Sequence, residues 1–156
     1  MSMNLAGLLA RDGIIPDLVA QDKKQVLQLL AQKAQEITGL EQHDIFNALL
    51  QRERLSSTSL GRGIAIPHVK LDGLPAITCL FAKLAKPIPF DSHDGEPVDL
   101  IFFLMAPEHA GGDHLKALAR ISRLVRDPSM LDRLRAAKDV ETLLKVLTSP
   151  VTSHAA

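Results

Sequence analysis

Apolar positions follow two different rhythms along this 156-residue chain. Val26, Leu29, Leu30, Ala34 and Ile37 recur every three or four residues, the signature of a helix with one buried face. Asp22 stands ahead of that stripe with Gln25 three positions on, a capping-box spacing, and Gly39 follows as its stop. A second stripe, Ile45, Phe46, Leu49 and Leu50, predicts a helix from about His43 to Arg54. Past the Gly111-Gly112 loop, Asp113 is the expected N-cap of a long helix whose inner face is Leu115, Leu118, Ile121, Leu124 and Val125. Asp127-Pro128 then supplies an N-cap and first-turn pair, and Asp139 caps a last helix through Leu147.

The other rhythm is continuous. Val98 to Ala106 is almost uninterruptedly apolar, as a central strand covered on both faces requires. "ITCLFAKL" (Ile77–Leu84) and the short run Ile64–Ile66 predict two further strands. "GIIPDLVA" predicts a first strand, where Pro16 signals an edge or a strand end. Between the later strands, "PIPFDSHDGEP" has turn chemistry centred on Asp94-Gly95. Helices alternating with strands in this order predict an α/β (α+β) fold: a three-layer sandwich with a mixed β-sheet flanked by helices on both faces. Without repeats or long linkers, residues 1–156 are expected to form one domain, with its core at about 5–148.

Composition narrows the function classes. The chain is 46% hydrophobic and 23% charged, enough to bury a sizeable core. Eighteen basic residues balance eighteen acidic ones, which argues against a nucleic-acid partner. The longest apolar run is too short to span a bilayer, and no polybasic amphipathic segment predicts a membrane surface. "MSMNLAGLLARDG" lacks a basic region ahead of its apolar residues, so no signal peptide is expected there. The single Cys79 fits a reducing cytoplasm.

The stretch with unusual chemistry is "SSTSLGRGIAIPHVK", Ser56 to Lys70. Pro67 lacks an amide donor and is expected to stop the strand, presenting His68 at the end of the sheet, where open α/β sheets hold ligands. A neutral imidazole is a competent nucleophile near pH 7, and a phosphoryl group is its natural covalent partner. Gly61 and Gly63 would let backbone amides approach an anion, while Ser57 and Thr58, with Ser56, can donate to its oxygens. Arg52, near the end of the preceding helix, offers a fork of donors, and His114 a second imidazole in the first turn of its helix. Each residue also has a plainer role. His68 can be structural, "QRERL" a solvated helix face, the hydroxyls a helix C-cap, and His114 a neighbour of a cap. His93 belongs to a turn, and His43, His109 and His154 have no constellation. No Walker A, dinucleotide fingerprint, nucleophile elbow or zinc-ligand spacing is present. The residues alone therefore reach an anion or phosphoryl site around His68, and no further.

"SSTSLGRGIAIPH" resembles the active-site segment of enzyme IIA domains of the bacterial phosphoenolpyruvate-dependent phosphotransferase system. The likeness is to the fructose/mannitol-type branch, which includes the nitrogen-regulatory IIA proteins. There the pattern is R-E-x-x-G-S-T-G-[IL]-G-x-G-[IV]-A-[IV]-P-H. "FDSHDGEPVDLIFFLMAPEHAGGDHLKALARISRLVRD" resembles the second block of that family, and the likeness runs from about Leu5 to Thr148. Ser56 and Ser59 depart from common glycines without removing a group that phosphotransfer needs.

The resemblance implies that His68 is the phosphoryl acceptor, Arg52 the neutralising arginine and His114 the second active-site histidine, with Ser57 and Thr58 lining the phosphoryl pocket. It implies a phosphocarrier that needs no metal or nucleotide and receives its phosphate from an HPr-like or NPr-like histidine phosphocarrier. Two outputs are open. One is regulatory control of kinases, transporters or transcription machinery; the other passes phosphate to a IIB domain for sugar uptake. A non-catalytic anion-binding module is a third, weaker possibility.

Overall fold

The computed structural model describes Leu5 and residues 7–148. The first strand, β1 (Leu9–Leu18), leads to helices α1 (Lys23–Thr38) and α2 (Gln42–Leu55). Asp22 caps α1 by accepting from the Gln25 amide at 2.8 Å, and Gln25 Oε1 in turn accepts from the Gln21 amide. Gly39 closes α1 in the left-handed conformation, with φ of 78°. Three short strands follow, β2 (Ser59–Gly61), β3 (Ile64–Ala65) and β4 (His68–Leu71), and then the long β5 (Thr78–Ile88) and β6 (Val98–Pro107). Helices α3 (Gly112–Leu124), α4 (Pro128–Ala136) and α5 (Val140–Thr148) complete the described chain.

The sheet runs β1-β5-β6-β3-β2, with β4 paired to β6 beyond β3. It is mixed: β1 is parallel to β5, β5 antiparallel to β6, and both β3 and β4 are parallel to β6. β6 lies inside the sheet and is apolar on both sides. Ile101, Phe103 and Met105 pack with α1 and α2, and Leu100, Phe102 and Leu104 pack with α3, α4 and α5. The three-layer sandwich expected from the sequence is the fold observed. Pro16 falls within β1, an edge strand, where a missing amide donor costs little.

Leu115, expected on the inner face of α3, is instead 69% exposed, and four further expectations need correction. The strand does not stop at Pro67. Ile64 and Ala65 pair with Leu100 and Ile101, and His68 resumes opposite Leu104 in unchanged register. Across the two intervening residues the contact with β6 thins to one bond: Pro67 has no amide to give but its carbonyl accepts from the Leu104 amide at 2.9 Å, while Ile66 donates its amide to Thr58 O at 3.0 Å. Second, the loop before β3 is itself a strand, β2, joined to β3 by a hairpin with positive φ at both Arg62 (56°) and Gly63 (83°). That sign pattern belongs to a primed turn, which matches strand twist and favours glycine. Third, Gly111 rather than Asp113 caps α3, and Asp113 lies in its first turn. The chain enters the helix earlier because Asp113 bonds back through its amide to Ala110 O. Fourth, β5 extends through Pro87 to Ile88, which pairs with Val98.

Candidate active site

β4 is an edge of the sheet at its own end, and α2 and α3 approach it from the two helical layers. His68 opens β4, Arg52 lies in the last turn of α2, and His114 is in the first turn of α3. The three line one cavity of about 440 Å³, together with Ala48, Gln51, Leu55, Val69 and Lys70. Arg52 and His114, 62 positions apart in number, thus meet at the histidine that the sequence singled out.

The ring of His68 is held at both nitrogens. Nδ1 lies 2.7 Å from Ile66 O, a partner that can only accept, so Nδ1 carries the proton. Nε2 is then the bare nitrogen, and Arg52 Nε donates to it at 3.4 Å. The Arg52 guanidinium is braced by Nη1 donating to Ser56 O at 3.1 Å. Burial pushes the pKa of His68 below the ordinary imidazole value. The Ile66 carbonyl opposes that shift, the Arg52 charge adds to it, and the Glu53 carboxylate opposes it. His68 is therefore neutral near pH 7, with a lone pair facing the cavity. His114 stacks edge-on against it, ring centroids 5.7 Å apart. Burial, then the charges of His68 and Lys70, also lower the pKa of His114, and its buried Nε2 has no hydrogen-bond partner. A buried polar atom left unpaired beside a cavity is a cost that a bound ligand relieves.

The remaining predicted residues lie elsewhere. Ser57, Thr58, Gly61 and Gly63 do not line this cavity. The Ser57 hydroxyl donates to Phe90 O at 2.6 Å and accepts from the Ser59 amide. Thr58 is buried, and both its hydroxyl and its amide donate to Glu53. Neither hydroxyl has a hydrogen left for an anion. A side chain at Gly61 would meet Asp94 Oδ2 at 2.9 Å, and one at Gly63 would meet Arg135 Nη2 at 2.4 Å. These glycines thus serve the hairpin and its packing against Asp94 and the Asp99–Arg135 pair. His93 and His109 are exposed in loops, and His43 is exposed on α2. His154 lies outside the described residues, as do residues 1–4 and 6 of the segment expected to lack a signal peptide.

Glu53, Leu55 and Lys70 are the neighbours that sequence reasoning passed over. The signal for Glu53 was available: it continues the i, i+4 row Ile45, Leu49, and these three are the buried residues of α2. Among the described residues, no group of three or more His, Cys, Asp or Glu side chains could hold a metal ion. No described helix is long and apolar enough to cross a membrane.

Similarity to known proteins follows the same lines. A nitrogen regulatory protein of Bradyrhizobium diazoefficiens is 51% identical over 153 residues, covering 98% of this chain and all of its own. A fructose-specific EIIA component of Haloferax volcanii is 37% identical over 105 residues, covering 67% of this chain and 68% of its own. The crystal structure of nitrogen regulatory protein IIA-Ntr from Neisseria meningitidis superimposes with a TM-score of 0.86 at 33% identity, covering 91% of this chain and 97% of that one. Residues 8–149 match the family model described as phosphoenolpyruvate-dependent sugar phosphotransferase system, EIIA 2. With the fold, the paired imidazoles and these matches in agreement, the chain belongs to the EIIA 2 family of that phosphotransferase system, and within it resembles the nitrogen-regulatory IIA proteins.

Proposed function

We propose that His68 carries a phosphoryl group on Nε2 and that the protein is a phosphohistidine carrier with a regulatory output. The observation that carries this is the division of labour on one ring: Nδ1 is committed to the Ile66 carbonyl, while Nε2 faces Arg52 and an open cavity. The donor is an HPr-like or NPr-like protein phosphorylated on histidine. The Nε2 lone pair attacks phosphorus in line, the donor's N–P bond breaks, and that electron pair returns to the donor ring. Nδ1 keeps its proton throughout. Arg52 and the unpartnered His114 Nε2 offer donors for the equatorial oxygens, and charge neutralisation is most of what phosphoryl transfer asks of a protein. Leu55 and Leu115, 82% and 69% exposed, are apolar surface beside Arg52 and His114, suited to the rim of a protein partner rather than to a small free substrate.

The regulatory output, in the cytoplasm, is supported by the near end-to-end match to a nitrogen regulatory protein. Its targets would be a kinase, transporter or transcription factor that distinguishes the two phosphorylation states. Passage of phosphate to a IIB domain is the second output, favoured by the shorter match to a fructose-specific component.

The test is intact-mass analysis at neutral to basic pH after mixing with phosphoenolpyruvate, enzyme I and the phosphocarrier. One acid-labile phosphate, absent in His68→Ala, is the expected result. No gain of mass, while an authentic IIA protein in the same mixture is phosphorylated, would sink the proposal.

A further inference from the structure

Behind His68 runs a chain of hydrogen bonds that the phosphoryl chemistry does not touch. Glu53 is buried in the last turn of α2, and its side chain is only 4% exposed. Lys23, the first residue of α1, pairs with Glu53 Oε1 at 2.8 Å and reaches Asp91 Oδ2 at 3.2 Å. Its ammonium also lies 4.6 Å from the centre of the Phe90 ring. Glu53 then takes both donors of a single residue: Oε2 accepts from the Thr58 hydroxyl and Oε1 from the Thr58 amide at 3.3 Å. The carbonyl of Thr58 accepts the amide of Ile66, on the side of the strand away from β6. The carbonyl of Ile66 in turn receives His68 Nδ1.

A buried carboxylate costs several kcal/mol unless it is paired and hydrogen-bonded. Here, beside the Lys23 pair, both of its remaining bonds fix the segment at 58, and so the peptide at 66. β6 holds Ile66-Pro67 by one bond, from the Leu104 amide to Pro67 O at 2.9 Å; Pro67 has no amide to return, and the Ile66 amide points to Thr58 on the other side. The Thr58 bond is the restraint on the Ile66 side of that peptide, and Glu53 holds Thr58.

We infer that Glu53 is a positioning residue for His68: by gripping Thr58 it aims the Ile66 carbonyl at Nδ1, which keeps the ring in the tautomer whose Nε2 is bare. Thr58 is the intermediate of this relay rather than a phosphate ligand, and Lys23 pairs with the carboxylate behind the site. The inference rests on Nε2 of His68 being the phosphoryl acceptor, and it is tested at two separate readouts. Partners that orient a metal-binding histidine by a direct bond typically change activity about 10–100-fold, and Glu53 acts on His68 through three successive hydrogen bonds.

The experiment uses the full chain, labelled with ¹⁵N in its histidine rings, as wild type, Glu53→Gln, Thr58→Val and Thr58→Ser. Long-range ¹H–¹⁵N spectra read the His68 tautomer directly, and quenched mixing with phosphorylated carrier reads the transfer rate. In wild type, Nδ1 is protonated. Thr58→Val, nearly isosteric but without the hydroxyl, and Glu53→Gln shift His68 towards the Nε2-protonated tautomer and slow transfer about 10–100-fold. The carrier concentration for half-maximal rate stays unchanged, because the docking surface is intact. Thr58→Ser, which restores the hydroxyl, restores the wild-type tautomer. Backbone amide spectra separate this from unfolding, and Thr58→Val carries the test if Glu53→Gln does not fold. A folded Thr58→Val protein with the wild-type tautomer and rate overturns the inference. If wild type shows Nδ1–H and the variants lose it, but no form accepts phosphate, the relay stands and the proposed function falls.

Discussion

Arg52 Nε lies 3.4 Å from His68 Nε2, on the side of the ring opposite the Ile66 carbonyl. The pairing joins α2 to β4 and sets a guanidinium beside the nitrogen that faces the cavity. A cation there disfavours protonation of the ring, and in the proposed transfer it would also favour the arriving dianion.

Arg52→Ala is expected to slow phosphorylation of His68 by the carrier about 100-fold, in line with loss of one charge-stabilising donor. Arg52→Lys recovers only part of this, because an ammonium lacks the fork that also braces Ser56 O. Time courses of phosphate incorporation by intact mass check both. An unchanged rate in Arg52→Ala would remove Arg52 from the site.

His114→Ala is expected to fold and to accept phosphate more slowly, about 10-fold or more, because its free Nε2 is the other donor at the cavity. The same time courses read this. Phosphorylation of His114 itself in the His68→Ala background would reverse the assigned roles.

Folding stability and transfer rate should both respond to acid. His68 and His114 have pKa values lowered from the ordinary 6.5, chiefly by burial. The unfolded chain then binds protons more readily than the folded one, so stability rises with pH and is lost as pH falls below about 6.5. The transfer rate stays level from pH 8 down through the ordinary imidazole range and drops only below it, where His68 gains its proton. Urea titrations and phosphorylation rates over pH 5–8 test these signs. A rate already halved at pH 6.5 would mean that His68 is not depressed.

Gly63→Ala places a side chain at φ of 83°, against Arg135 Nη2 and Asp99 Oδ1. It is expected to cost more than about 1 kcal/mol of stability, from backbone strain and from disturbing the Asp99–Arg135 pair. The transfer rate of the folded protein changes less than its stability. The reverse pattern, a stable protein that no longer accepts phosphate, would return Gly63 to the phosphoryl site.

The core between the sheet and α3–α5 is anchored by Phe81 and Phe102, whose rings meet edge to face at 4.9 Å. Phe102→Ala leaves a cavity in a fully buried site and is expected to cost about 3–5 kcal/mol, measured by urea denaturation at pH 7.5. A loss under about 1 kcal/mol would mean the layer repacks freely.

Much of this protein is decided locally and is therefore written in its sequence. Asp22, Asp127 and Asp139 cap helices because their carboxylates reach amides two or three residues away. The apolar run from Val98 to Ala106 makes a central strand because both of its faces must be covered. The alternation of such elements sets the three-layer fold, and Pro67-His68 beside hydroxyls and glycines marks the candidate site. The fate of those hydroxyls and glycines is not local. Ser57 is claimed by Phe90, 33 residues away, and Gly63 by the turn and by Arg135. The first turn of its helix suggested His114 as a candidate, but only the packing of α3 on the sheet set its ring 5.7 Å from that of His68. Whether a donor serves a ligand or the fold depends on which partner is nearer in space, and spacing along the chain does not report that. The strand past Pro67 illustrates the same limit. Proline removed one hydrogen bond, as its chemistry dictates, but the β6 ladder on either side was long enough to carry the strand across the gap.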